Sequence, residues 1–418
     1  MVPIIAGGSL DRAADNSYKC NYIAKKQARE ASMITMSRRR ALGVLAAGAV
    51  LASAGAAQAQ QPIKIGSFLS ITGGASFLGD PEAKTLRLYA DRINKAGGVN
   101  GRKIELVVYD SAGDAKQAVT FARRLIEEDK VDIIVGGSTT GETMAVVPLV
   151  EEAEIPFISL AGASVIVEPV KKWVFKMPHS DRMAVEKSYV DMKKRNLTNV
   201  AVIGGSGGFD QSCRKEAHAL AGKYGMKVVA DETYAPTDSD MTPQLTKIKN
   251  TQGIQAIFGC GFGAPTSITA RNWKQLGMTD IAFYFNHGVA SQQFIDGAGG
   301  GAEGVRVPVP ALLVADQLPA GDPQREVSLA YIKAFKEAYN LPPSGFGGHA
   351  YDGFHIAIDA IKRANSTDKA KVRDAIEKTT KFIGADGIYT MTPKDHMGLS
   401  LDSFKMVEVK NNTWKLIE

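Results

Sequence analysis

The sequence predicts an α/β protein built as two doubly wound parallel-sheet lobes. Three observations carry that reading. Apolar runs of strand length alternate with amphipathic helical stretches from Ile63 onward. The alternation stops near Lys171–Ser180 and then restarts. The loops that follow the strands are rich in Gly, Ser and Thr and poor in charge.

Each element follows from its pattern. Ile63 to Leu69 alternates into an apolar strand, and Ala83, Leu86, Ala90 and Ile93 then share one helix face. Gly97-Gly98 ends that helix, because glycine takes the left-handed cap conformation. Ile104 to Tyr109 is the next strand, and Asp114 caps a helix bearing Ala118, Ala122, Leu125 and Ile126. Ile133 to Val135 and Ile155 to Leu160 are strands flanking a helix that runs to about Ala153. After the break, strands are expected at Val200 to Ile203, Lys227 to Ala230, Ala256 to Phe258 and Ile281 to Phe285. Helices are expected between and before them, at about 183–195, 210–224, 241–250 and 265–276. Three helices at about 323–339, 347–364 and 369–379 and a last strand, Phe404 to Val409, complete the chain. That tail is too short for a third lobe.

Residues 1–59 read differently. Arg38, Arg39 and Arg40 precede a small apolar run, Ala41 to Ala56, and then Ala57-Gln58-Ala59. Basic start, apolar middle and A-x-A end are the parts of an export signal, cleaved near Ala59/Gln60. Ser37-Arg38-Arg39 also fits a twin-arginine signal, and the general secretory route fits nearly as well. Met33 or Met36 stands where such a signal begins, so residues 1–35 read either as sequence upstream of the true start or as a polar tail.

The leader holds eight Lys/Arg and three Asp/Glu of the chain's 50 and 44, leaving 42 against 41. The basic balance therefore belongs largely to the leader and gives no basic stripe for nucleic acid. Nothing in the body is apolar for ~18 residues, so no spanning segment is expected there. Cys213 and Cys260 remain; an oxidising compartment would allow them to pair, and spacing alone leaves disulfide and buried thiols both open.

Two stretches match motifs that carry chemistry. Gly204-Gly205-Ser206-Gly207-Gly208 matches G-x-S-x-G, with Asp352 and His396 following in hydrolase order. An elbow needs its helix to start at the serine, and Asp210 reads as the cap four residues later. Gly259 to Ala264 matches a dinucleotide fingerprint, yet Asn286-His287 stands where the ribose-binding acid belongs. Six histidines are scattered, and His349 and His355 lie six apart on different helix faces, so no metal and no cofactor is expected.

The motifs in order carry a likeness. Thr72-Gly73-Gly74-Ala75 with Gly79, the run Ile93 to Arg102, Asp110 to Ala118, Gly137-Ser138-Thr139-Thr140-Gly141, Pro156-Phe157-Ile158-Ser159 and Tyr351-Asp352 stand in this spacing. Over nearly all of 62–418 the chain resembles type I periplasmic solute-binding proteins of the branched-chain amino-acid (leucine/isoleucine/valine) transport group. The resemblance implies a monomer in the periplasm whose lobes, joined by a three-strand hinge, close on a small-molecule solute for ABC transporter permease subunits. It implies lobes over 60–180 with 311–399, and 181–310 with 400–418. It points to Thr139 and Thr140 for a ligand carboxylate and to Ala163 and Ser164 for further contacts. Phe77 and Leu78 would form a wall, with aromatic positions at Phe209, Phe262 and Phe346. Amino-acid binders of this group place an acid where this chain has His287, so the implied solute is a carboxylate with an apolar, aromatic body and no required ammonium. A branched-chain amino-acid binder and a sensor docking to a signalling receptor are the alternatives, with a serine hydrolase using Ser206 behind them.

Overall fold

A computed structural model of the chain describes residues 61–418, with Gln27 alone upstream of them. The leader and its cleavage point lie outside the described residues.

Strands β1 (Ile63–Leu69), β2 (Ile104–Asp110), β3 (Ile133–Gly136), β4 (Phe157–Ser159) and β5 (Val174–Lys176) form a parallel sheet in the order β2-β1-β3-β4-β5. Helices α1 (Ser76–Lys95), α2 (Ala115–Glu127) and α3 (Thr140–Glu152) are the crossovers. β1, β3, β4 and β5 are buried almost throughout, as strands covered on both faces must be. Each fully buried Leu, Ile or Phe there contributes roughly 1.5–3 kcal/mol. Asp114 caps α2 as expected, accepting from Gln117 N at 2.9 Å. Gly97 and Gly98 follow α1 with φ of 105° and 85°, and a Cβ on Gly98 would collide with the Arg102 carbonyl.

A second sheet has the order β14-β13-β10-β9-β8-β6-β7. Its parallel part is β6 (Asn199–Gly204), β7 (Lys227–Thr233), β8 (Ala256–Cys260), β9 (Ala282–Phe285) and β10 (Arg306–Pro310). The helices before and between them are α4 (Asp181–Lys194), α5 (Gly208–Tyr224), α6 (Thr242–Lys249), α7 (Ala264–Gln275) and α8 (Gln292–Ala298). β13 (Phe404–Lys410) and β14 (Thr413–Leu416) close the sheet as an antiparallel hairpin. Its two-residue turn is Asn411-Asn412, both at positive φ, the geometry that a tight hairpin requires. The β10–β13 register sets Arg306 opposite Glu408, and the guanidinium bridges Glu408 and Asp191 at 2.9 Å each.

Helices α9 (Pro323–Tyr339), α10 (Gly345–Ala364) and α11 (Lys369–Glu377) return to the first sheet, where α10 packs on α1. The chain thus passes between the sheets three times: at 177–180, after 310 and at 400–403. Several elements differ from expectation: β5 and β10 lie at the breaks in the sequence pattern, the short helix α8 and the short strands Phe382–Ile383 and Ile388–Tyr389 are additional, and the single last strand is a hairpin. Helix α5 begins at Gly208, two residues before Asp210, because Asp210 acts from inside the first turn, its Oδ2 accepting from Gly207 N at 3.1 Å. Among the described residues, no helix is long and apolar enough to cross a membrane.

Candidate functional site

The carboxyl ends of strands from both sheets meet at one cleft, the position where open α/β sheets bind ligands. β3 ends at Gly136, and Thr139 then caps α3. The Thr139 hydroxyl accepts from Glu142 N at 3.2 Å and lies 2.8 Å from Glu142 Oε2, which also accepts from Thr139 N at 3.0 Å. Glu142 further accepts from the hydroxyls of Ser70 and Ser111, tying three loops together. Thr139 is therefore engaged in a capping box. Its neighbour Thr140 is buried with no hydrogen-bond partner for its hydroxyl.

Across the cleft, α5 begins at Gly208. A Cβ built there would lie 3.9 Å from Gly141 N and from Thr140 Cγ2. Two helix N-termini, one from each sheet, thus face each other. The first N–H groups of a helix have no intrahelical acceptor and favour negative charge.

The apolar wall is a continuous arc of rings. Phe346 meets Phe77 edge-on at 5.6 Å, and Phe77 meets Phe262 at 6.0 Å. Phe262 meets Phe209 at 6.0 Å, and Phe209 meets His287 edge-on at 5.5 Å. Phe77 and Phe346 belong to elements on the first sheet, and on the second Phe209 starts helix α5 while Phe262 and His287 follow strands. Gly162 lets the loop after β4 approach this arc. A Cβ there would stand 2.8 Å from His287 Nε2 and 2.9 Å from Phe209 Cε2.

Leu78, Ser138, Thr139, Thr140, Leu160, Gly162, Pro178, Phe209, Phe262, His287, Gly288, Phe346 and His349 line the cavity. The cavity measures about 30 Å³, far below the ~300–1,000 Å³ usual for ligand sites, so a solute of ordinary size must part its walls to enter. No carboxylate is among these lining residues. His287 is buried, its Nδ1 has no partner, and burial first and then Lys176 push its pKa well below the ordinary value. Behind Ser138, whose hydroxyl donates to Glu82 Oε2 at 2.5 Å, burial pushes the Glu82 carboxyl well up.

Seven of the expected residues meet here: Leu78, Thr139, Thr140, Phe209, Phe262, His287 and Phe346. Phe77 touches two of the lining rings and faces an adjoining hollow. Ala163 and Ser164 lie outside the lining. Ser164 N donates to Asp181 Oδ1 at 2.9 Å, and its hydroxyl sits 3.5 Å from Glu216, beside a separate surface hollow. The reason is local: Gly162 fills the place against His287, and the chain then turns through Ser164–Ile166, carrying Ser164 away. Sequence reasoning passed over Ser138, Leu160, Gly162 and Gly288 individually, although each stands in a Gly/Ser-rich loop beyond a strand. Pro178 and His349 gave no such signal, because one follows the unpredicted β5 and the other lies within a helix.

Ser206 is exposed. Asp352 is buried against Ala385 N, Asp386 N and the Tyr389 hydroxyl, and His396 against the Val174 carbonyl and Glu377, so no hydrolase triad forms. Among the described residues, no group of three His, Cys, Asp or Glu is placed to hold a metal. Cys213 of α5 and Cys260 of β8 are joined as a disulfide, with Cα atoms 5.7 Å apart. This decides the pairing that spacing left open.

Comparison with known proteins agrees with this architecture. A leucine-, isoleucine-, valine-, threonine- and alanine-binding protein of Pseudomonas aeruginosa is 28% identical over 341 residues, 81% of this chain and 88% of the relative. An extracellular ligand-binding receptor from Rhodopseudomonas palustris HaA2 superimposes with a TM-score of 0.79 at 29% identity, covering 86% of this chain and all of the other. The branched-chain amino acid transporter substrate binding protein of Streptococcus pneumoniae, solved with isoleucine, shares the fold with a TM-score of 0.74 at 24% identity, covering 85% and 98%. The periplasmic binding protein family matches residues 62–413, and with two parallel sheets meeting at one cleft the chain belongs to that family.

Proposed function

We propose that the protein is the extracytoplasmic solute-binding component of an ABC importer and that its solute is a small carboxylate with an aromatic body. One observation carries this reading: the cavity is lined by imidazoles, hydroxyls and rings, without a carboxylate. The α-ammonium of an amino acid would be buried there without a counter-charge, at a cost of several kcal/mol. A solute carboxylate instead finds the two helix N-termini and the unpartnered Thr140 hydroxyl as charge-assisted donors. The ring arc covers the apolar body, each aromatic pair adding roughly 0.5–1.5 kcal/mol beyond area burial.

The lobes are 60–180 with 311–399 and 181–310 with 400–418, moving about the three crossings. Since lining residues come from both sheets, a solute gains its full contacts only on closure and shifts the population toward the closed state. Export to the periplasm by the leader and cleavage near Ala59/Gln60 belong to the same reading. The named relatives favour a second one, in which Leu78 and Leu160 surround a branched aliphatic side chain. Calorimetry with benzoate, phenylacetate and 3-phenylpropionate beside leucine and valine separates them. Tight leucine binding with no response to any aromatic acid refutes the first.

A further inference from the structure

Behind the cavity lies a cluster of buried titratable groups that the reading above leaves unused. Lys176, at the end of β5, is fully buried. Its Nζ donates to the Pro178 carbonyl and lies 3.7 Å from Met397 Sδ. His179 stacks on Phe404 at 3.8 Å and shares a 2.8 Å hydrogen bond through Nε2 with Ser403, leaving Nδ1 unpartnered. His287 Nδ1 is unpartnered too. His349 Nδ1 lies 2.5 Å from Asp386 Oδ2, out of line for a hydrogen bond, and both Asp386 oxygens lack donors. Ordinary interiors leave few such groups. Here His287 and His349 line the cavity itself, with Lys176, His179 and Asp386 close behind them.

His349 is faced from every side by titratable groups. Asp352 on its own helix is held by Ala385 N, Asp386 N and Tyr389. Asp386 comes from the segment between the short strands Phe382–Ile383 and Ile388–Tyr389. Tyr331 of α9 shares a 2.9 Å hydrogen bond with Thr85, and α1 brings Glu82, whose Oε1 is unpartnered. Lys176, His179 and His287 complete the set. Burial holds Asp386, Asp352 and Glu82 well above the usual carboxylate range. Burial likewise pushes His349 down to about 3, Lys176 down to about 7, and His179 and His287 well below the ordinary histidine value. Burial thus opposes charge on the acids and on the bases alike, and the cavity lining itself carries no carboxylate.

An anion entering such a site meets no permanent counter-ion. The nearest remedy is a proton on one of the bases beside it. We propose that the solute's negative charge is matched inside the closed site by one proton taken from solvent and held by the His287, His349 and Lys176 cluster, with Asp386 as the residue that positions His349. The proposal rests on the carboxylate reading above. A proton bound in the complex but absent from the free protein makes affinity fall as pH rises, about tenfold per pH unit where a full proton is taken up. The effect opens above about pH 7, where Lys176 has lost its own proton in the free protein.

The test is calorimetry of the intact mature protein with benzoate, phenylacetate and 3-phenylpropionate at pH 8, in phosphate, Hepes and Tris. These buffers differ in ionisation heat, so the slope of observed heat against that quantity counts protons and needs no variant. The expected count for a binding acid is near one, with affinity falling close to tenfold from pH 8 to pH 9. Asp386→Asn is expected to lower the count and flatten the pH profile; an unchanged count and profile would remove Asp386 from the scheme. A carboxylate that binds with a count near zero in all three buffers overturns the proposal. If leucine binds and none of the three acids does, the carboxylate reading itself fails, and this proposal falls with it.

Discussion

Thr139 and Thr140 are adjacent, yet substitution of each is expected to act on a different property. The Thr140 hydroxyl is buried and has no hydrogen-bond partner within the protein. Valine has nearly the same shape, so Thr140→Val removes only that hydroxyl. If the hydroxyl donates to a solute carboxylate, its loss costs roughly 1.5–3 kcal/mol of affinity, or about 10- to 150-fold in Kd. No hydrogen bond within the protein is lost, so its stability without solute holds within about 1 kcal/mol. Thr139→Val acts in the opposite sense. It removes a cap whose hydroxyl accepts from Glu142 N and contacts Glu142 Oε2, and caps of this kind contribute about 0.5–2 kcal/mol. Calorimetry with the best-binding acid and urea unfolding of the empty protein read the two quantities separately. Affinity loss in Thr139→Val with none in Thr140→Val would refute the assignment of the free donor.

Three further outcomes are expected. His287→Glu places an acid where amino-acid binders of the resembled group carry one; it should weaken aromatic acids by more than a hundredfold through buried like-charge repulsion and confer leucine binding, and an unchanged preference in calorimetry would show that His287 does not set it. The disulfide closes a separation of 47 residues, so a Cys213→Ala/Cys260→Ala protein should lose about 4 kcal/mol of unfolding free energy, and a urea midpoint within error of the parent would contradict that. Asp210 is pushed up to about 7 chiefly by burial; the folded protein then holds a proton that the unfolded chain releases near 4, so stability should decline as pH rises from about 4 to about 7, and Asp210→Asn, measured by melting across that range, should remove this part of the decline.

Local patterns made most of the fold legible. Alternating apolar runs located nearly every central strand because parallel strands are buried on both faces. The elements that escaped are those stabilised by distant partners. β5 is three residues long, and β10 carries two prolines, with Arg306 anchored by Glu408 and Asp191. The terminal hairpin does leave a local signal, Asn411-Asn412 between two apolar stretches. For the site, residues on loops just beyond strands were legible because topology sends those loops to one place. Ser164 was misplaced because a single tight turn decides which side of a loop faces the cleft. His349 was invisible for a different reason: helical spacing puts it beside Phe346, but nothing local announces that Asp386, from a segment 37 residues on, lies behind it.

The buried groups around the cavity also bear on how such a site is maintained. A buried hydroxyl or imidazole nitrogen without a partner costs roughly 1–3 kcal/mol. Thr140, His287 and His349, all in the lining, each carry such an atom, so a closed site without solute is costly relative to an apolar core of the same shape. Replacing these groups by apolar ones would stabilise the empty protein and leave nothing to recognise a charged oxygen. On the carboxylate reading, their cost in a closed site without solute becomes a preference for closing on one, because the solute would bring the missing partners. The same logic favours closure: donors come from loops of both sheets, and one carboxylate can satisfy them together only when the two helix N-termini stand as near as Gly141 and Gly208 do here. A variant of the lining, such as Thr140→Val, should therefore close less completely at a given concentration of acid, which small-angle scattering at matched acid concentration would read as a larger radius of gyration than that of the parent.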